Sequence, residues 1–135
     1  MKYILSSLLL LLVLALTFSQ PSPVPDSDYR TLYLSAEKDY LDAELLPLQK
    51  NYSEEKEAAL NQVALKKFIQ VLPVIEANQL DSLAFHCHYK MASLYHYFDS
   101  LNLAKAHYLL SIKSKSKAPS LPDSVLFKPL LFIGS

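Results

Sequence analysis

Between Tyr29 and Ala43 the residues Tyr29, Tyr33, Ala36, Tyr40 and Ala43 recur at alternating steps of four and three, the stripe of an amphipathic helix. Pro47 is expected to end it. Farther along, "NYSEEKEAALNQVALKKFIQVL" opens on Ser53, a hydroxyl cap, and Glu54, Glu55 and Glu57 put negative charge at the positive end of a second helix. Ala58, Leu65, Phe68 and Leu72 form its expected apolar face. Pro73 removes a backbone donor and is expected to end or kink it, with a short helical remainder to about Asn78.

A third helix is read in "DSLAFHCHYKMASLYHYF", capped by Asp81 or Ser82, with Leu83, Cys87, Met91, Leu94 and Phe98 on the helical period. After Asp99 and Ser100 a fourth carries Leu101, Ala104, Tyr108 and Ile112. So short a break makes the two helices antiparallel neighbours. "KSKSKAPSLP", residues 113–122, reads as a solvated spacer; its three lysines lack the interleaved aromatics that stack on bases. The chain holds one glycine, Gly134, and sustains no strand-type alternation bounded by turn residues, so the expected fold class is all-α.

The first 19 residues, "MKYILSSLLLLLVLALTFS", have one lysine, a leucine-rich apolar stretch and small residues at Thr17 and Ser19. That is the layout of a secretory signal peptide cleaved before Gln20. The alternative is an uncleaved membrane anchor, for which the apolar run is shorter than the roughly 20 residues a spanning helix needs. "QPSPVPDSD", residues 20–28, is a proline-rich leader without apolar period. The expected location is therefore exported, periplasmic or extracytoplasmic, and membrane contact is expected only through an uncleaved first segment or a span downstream of the given sequence.

Charge narrows the partners. Thirteen basic residues balance 13 acidic ones, which leaves no electrostatic footprint for nucleic acid. Cys87 is the single cysteine, so no intrachain disulfide can form and stability rests on packing.

Comparing the chain with itself shows a spacing of 42. Asp81, Ser82, Leu83 and Phe85 recur as Asp123, Ser124, Val125 and Phe127, and Met91 and Ala92 as Ile133 and Gly134. Within the first copy the order His88, Met91, Ala92, Tyr95, Ala104, Tyr108 resembles the tetratricopeptide repeat, whose pattern sets small residues where two helices cross and aromatics beside them. His88 stands where tryptophan is usual, Ser111 where alanine is usual, and Ser116 where proline closes the unit. The spacing of 42 also exceeds the usual 34. Met91, Ala92, Tyr95, Ala104, Tyr108, Ile133 and Gly134 are the residues expected to pack the repeat. The resemblance implies antiparallel helix pairs stacked as a solenoid: a divergent pair or cap at residues 29–80, a repeat with its linker at 81–122, and the start of a further, truncated repeat at 123–135. That last stretch lacks a helix to cover Leu126, Phe127, Leu131, Phe132 and Ile133, which implies a longer protein. Pro129 suits a helix starting near Lys128 better than one starting at Ser124.

No catalytic constellation is present: there is no phosphate loop, HExxH or GxSxG pattern. Glu54 with Glu55, and Asp39 with Asp42, read as solvated faces and cap charges. His86, Cys87 and His88 are the one cluster of metal-ligand types, with His96 and His107 on the same helix pair. Successive helical residues point about 100° apart, so His86 and His88 diverge and do not share a tetrahedral metal. Of the nine tyrosines, Tyr33, Tyr40, Tyr95 and Tyr108 are expected in the core, while Tyr89, His96 and Tyr97 lie off the main stripe as a candidate partner groove.

The expected function is a non-catalytic exported helical scaffold that binds a protein or peptide partner and needs no cofactor. The resemblance further implies, by analogy with the family alone, a place as the sensor region of a bacterial signal-transduction protein. The alternative is a small exported metal or redox protein using His86, Cys87 and His88.

Overall fold

The computed structural model describes residues 28–134; the expected signal segment and nearly all of the leader lie outside them. The described residues form five α-helices: α1 (Tyr29–Leu45), α2 (Glu54–Ala77), α3 (Asp81–Tyr97), α4 (Leu101–Ser116) and α5 (Phe127–Gly134). Short 3-10 turns at Leu46–Leu48 and Asp123–Leu126 complete the fold, which is all-helical over these residues.

The packing is closest within α1/α2 and within α3/α4. In the first pair Tyr33 meets Phe68 edge to face at 6.1 Å, while Tyr40 and Ala43 share a cleft with Glu57 and Asn61. Rising numbers on one helix thus meet falling numbers on the other, and the pair is antiparallel. The second pair is antiparallel too, with Asp81 and Ala84 beside Lys113 and Lys117 at one end and Tyr95 stacked on His107 farther along. Between pairs the direction is shared. Glu37 of α1 binds Lys90 of α3, and farther along Ala43 and Glu44 approach Ser93 and Tyr97. On α5, Lys128 reaches Ser93 and Phe132 reaches His96. So α1, α3 and α5 run side by side in one direction, with α2 and α4 packed against them.

The stripe read for α1 is the buried one: Tyr33, Ala36, Tyr40 and Ala43 all point inward, and the α-helix stops two residues before Pro47. Ser53 caps α2, its Oγ accepting from the Lys56 N–H at 3.5 Å. The expected face of α2 is one residue out of register. Asn61, Ala64, Phe68, Val71 and Ile75 are buried, whereas Leu65 and Leu72 lie half-buried at its flank. Two stripes share Phe68, and the buried one was hidden by the polar Asn61 at its head. Pro73 does not end α2, which continues to Ala77, in line with the expected helical remainder to about Asn78. Pro73 and Ile69, whose carbonyl loses its usual donor, are both solvent-facing, so water can satisfy that carbonyl.

The α2/α3 and α3/α4 turns are built alike. In the first, Gln79 takes a left-handed φ of 54°, and the Leu80 and Gln79 N–H groups donate to the Ile75 and Glu76 carbonyls. In the second, Asp99 has φ 57°, and the Ser100 and Asp99 N–H groups donate to Tyr95 and His96. Both are Schellman closures. Leu80 and Ser100 then serve at once as the N-caps of the next helices, without side-chain capping. Asp81 and Ser82, expected as caps, therefore lie inside α3.

On α4 the buried residues are Ala104, Tyr108 and Ser111; Leu101 is exposed and Ile112 half-buried, which rotates the expected stripe. Ser111 can enter an apolar contact because its hydroxyl donates to the Tyr108 carbonyl at 2.6 Å. The spacer is shorter than expected: α4 runs to Ser116 and Ala118 is buried.

Candidate functional site

Lysines join the three co-directional helices. Lys90 of α3 pairs with Glu37 of α1 and lies 5.7 and 5.9 Å from the ring centroids of Tyr33 and Tyr40. Lys128 of α5 repeats the arrangement one helix farther along, 5.4 Å from the Tyr89 ring and 3.4 Å from Ser93 Oγ. The two differ in one respect. Lys90 has its carboxylate and is largely buried, while Lys128 is exposed and has no carboxylate partner among the described residues.

Lys128 also lines two clefts. One, of about 340 Å³, runs between α3 and the segment leading into α5, along Phe85, His86, Tyr89, Val125 and Phe127. The other, of about 180 Å³, reaches Tyr40, Glu44, Glu57, Ser93 and Tyr97. Of the candidate groove residues, Tyr89 thus faces the first cleft and Tyr97 the second. His96 instead lies exposed beside Phe132, 4.8 Å between ring centroids. Burial raises the Tyr89 hydroxyl pKa, so it remains a neutral donor at neutral pH.

Among the residues expected to pack the repeat, Met91, Ala92, Ala104 and Tyr108 are buried. Tyr95 is half-buried rather than core and stacks on His107 at 5.2 Å. Ile133 is half-buried, and Gly134 is exposed with open space around it, so it packs nothing. The spacing of 42 does not carry matching environments: Phe85 is 2% exposed and Phe127 73%. The second copy starts as a 3-10 turn and becomes α-helical only at Phe127, which puts Pro129 in the first turn of α5. That start agrees with the reading of Pro129.

The His86, Cys87, His88 cluster is taken apart by the helix. Cys87 is fully buried in the core and its thiol is pushed up to about 12 by that burial. His86 faces the cleft toward α5, its pKa lowered by burial and by Lys90. His88 turns the other way, into a polar chain formed with Glu76 and His107. Its Nε2 is 2.9 Å from Glu76 Oε1 and its Nδ1 3.0 Å from His107 Nδ1. Burial lowers the His88 pKa against the opposing pull of Glu76; burial and then His88 lower that of His107. Among the described residues no three metal-ligand side chains gather on one point. Reasoning from sequence missed Glu76 and the direct contact with His107, since partners 12 and 19 residues from His88 leave no local spacing to read.

Compared with protein families, characterised proteins and solved structures, the chain matches none of them.

Proposed function

We propose that the chain is a non-catalytic helical scaffold, with helix pairs stacked in the manner of tetratricopeptide repeats, that binds a protein or peptide through the face made by α1, α3 and α5. The observation that carries this reading is Lys128. It holds the same place over a tyrosine as Lys90, between clefts open to solvent, but lacks the carboxylate that Glu37 gives Lys90. A peptide with an acidic residue for Lys128 and an aromatic or aliphatic side chain for the cleft along Tyr89 and Phe127 fits that face.

Selection of a displayed random-peptide library on the purified chain tests it. Enriched peptides are expected to carry Asp or Glu beside a large apolar residue, and Lys128→Ala to weaken them at least about tenfold. Peptides that bind K128A as well as the wild type, or no enrichment at all, would sink the reading. Export by the first 19 residues belongs to the same proposal; amino-terminal sequencing of exported material should start at Gln20, and a start at Met1 excludes cleavage. Service as the sensor region of a signalling protein rests on the repeat resemblance alone.

A further inference from the structure

His88 is 2% exposed, yet it stands where α2, α3 and α4 meet and bonds to a charged side chain on one neighbour and an imidazole on the other. We propose that Glu76, His88 and His107 form a proton latch, which holds α4 against α3 at neutral pH and releases it when the histidine pair takes up its second proton.

The reasoning is a count of N–H groups. Glu76 is a carboxylate and can only accept, so His88 carries a proton on Nε2 and donates it there. In the neutral pair His88 Nδ1 is then a bare lone pair, and the 3.0 Å contact makes His107 Nδ1 the donor. One added proton is accommodated. His88 becomes an imidazolium that donates from Nε2 to Glu76 and from Nδ1 to His107, which shifts its own proton to Nε2. No hydrogen bond is lost. A second proton has no place, because both Nδ1 atoms then carry hydrogen and face each other at 3.0 Å with one carboxylate for two positive charges. The two rings relieve this by moving apart, which loosens the contact between α4 and α3.

The surroundings oppose the second proton. Lys113 and Lys117 of α4 line the groove of about 290 Å³ into which His88 and Glu76 look; Asp81 of α3 is the other carboxylate there. Tyr95 of α3 covers the His107 ring and brings no carboxylate to it. Burial disfavours charge on both rings. The sign follows: each imidazole is held below its ordinary pKa of about 6.5, so the unfolded chain takes up protons first as pH falls. Stability is complete above about 6.5 and is lost as the pH drops from there toward the folded values.

Thermal melts of the purified protein between pH 7.5 and 5.0 test this with His107→Gln, whose amide can still donate to His88 Nδ1 but cannot take a proton. The wild type is expected to lose at least about 5 °C in melting temperature over this range, H107Q less than half of that, and His96→Gln the full amount. Retention of the full loss by H107Q would overturn the latch. Nitrogen-15 spectra of the wild-type imidazoles keep the test independent of folding in the variants. They should show His88 protonated at Nε2 and His107 at Nδ1 at pH 7.5, with the two rings titrating in separate steps. Independent titration of both at the ordinary value, or the opposite tautomers, refutes it.

Discussion

In the first helix pair α1 lays Tyr33, Ala36 and Tyr40 against Ala64, Phe68 and Val71 of α2, with Asn61 buried at one end and Lys67 bridging Ser35 and Asp39 at the half-buried edge. In the second, α3 meets α4 with Ala92, Ala104 and Tyr108, but His88 and His107 stand inside the contact. Both pairs bring small residues to the crossing, so that backbones approach closely and aromatics fill the space beside them. They differ in what else is buried. A rim ion pair is screened by solvent and adds little, whereas a buried polar chain is strong when fully satisfied and costly when it is not. The first pair is held by shape with an ion pair at its edge; the second is held by shape and by a polar chain inside the contact.

The largest expected effect comes from emptying either core. Phe68→Ala and Tyr108→Ala each remove a side chain with no exposed surface and are expected to cost about 3–5 kcal/mol, the range for large aromatic truncations. Urea denaturation measures this, and a loss below about 1 kcal/mol at either site would mean that pair does not depend on its aromatic. Overfilling the crossings comes next. Ala36→Leu and Ala104→Leu, both at fully buried alanines, should each cost about 1–3 kcal/mol. If only one does, close approach governs only one of the pairs.

Cys87 reports on the junction between the pairs, because it sits in the core shared by α1, α2 and α3. With its pKa raised to about 12, the thiol is protonated at pH 8 and should react with a disulfide reagent only when the chain opens. Immediate stoichiometric labelling of the native chain would show the junction to be loose. The smallest effect tests the matched turns. Gln79→Gly and Asp99→Gly relieve left-handed backbone at residues with side chains and should each add up to about 1 kcal/mol. The gain should be larger at Gln79, since Asp tolerates this conformation better. Equal denaturation midpoints for both variants and the wild type would contradict the closures.

The three "DS" dipeptides among the described residues show how far local sequence goes. Asp81 and Ser82 are the first residues of α3, Asp99 is the left-handed turn residue with Ser100 the N-cap, and Asp123 and Ser124 open a 3-10 turn. The same pair of side chains occurs at all three, yet none of these helix starts has a side-chain cap bond, so the dipeptide marks a helix end without fixing its own place in it. The α2 face was misread for a related reason: Asn61 breaks the apolar pattern, and the neighbouring stripe through Leu65 and Leu72 looked more hydrophobic. On α4 Leu101 and Ile112 drew the stripe away from Ser111, whose bond to the Tyr108 carbonyl makes it fit for burial.

The sequence alone determined the all-helical character of the described chain, the start of α2 at Ser53, the buried stripe of α1 and the short antiparallel turn between α3 and α4. These are local matters of period, capping and turn length, written within a few neighbouring residues. Tertiary structure alone decided which side of α2 and α4 is buried, that Phe85 is core while Phe127 is not, and that His88 belongs with Glu76 and His107 rather than with His86 and Cys87. Those outcomes depend on residues brought together from different helices, and a one-residue rotation of about 100° on any of them would have chosen other partners.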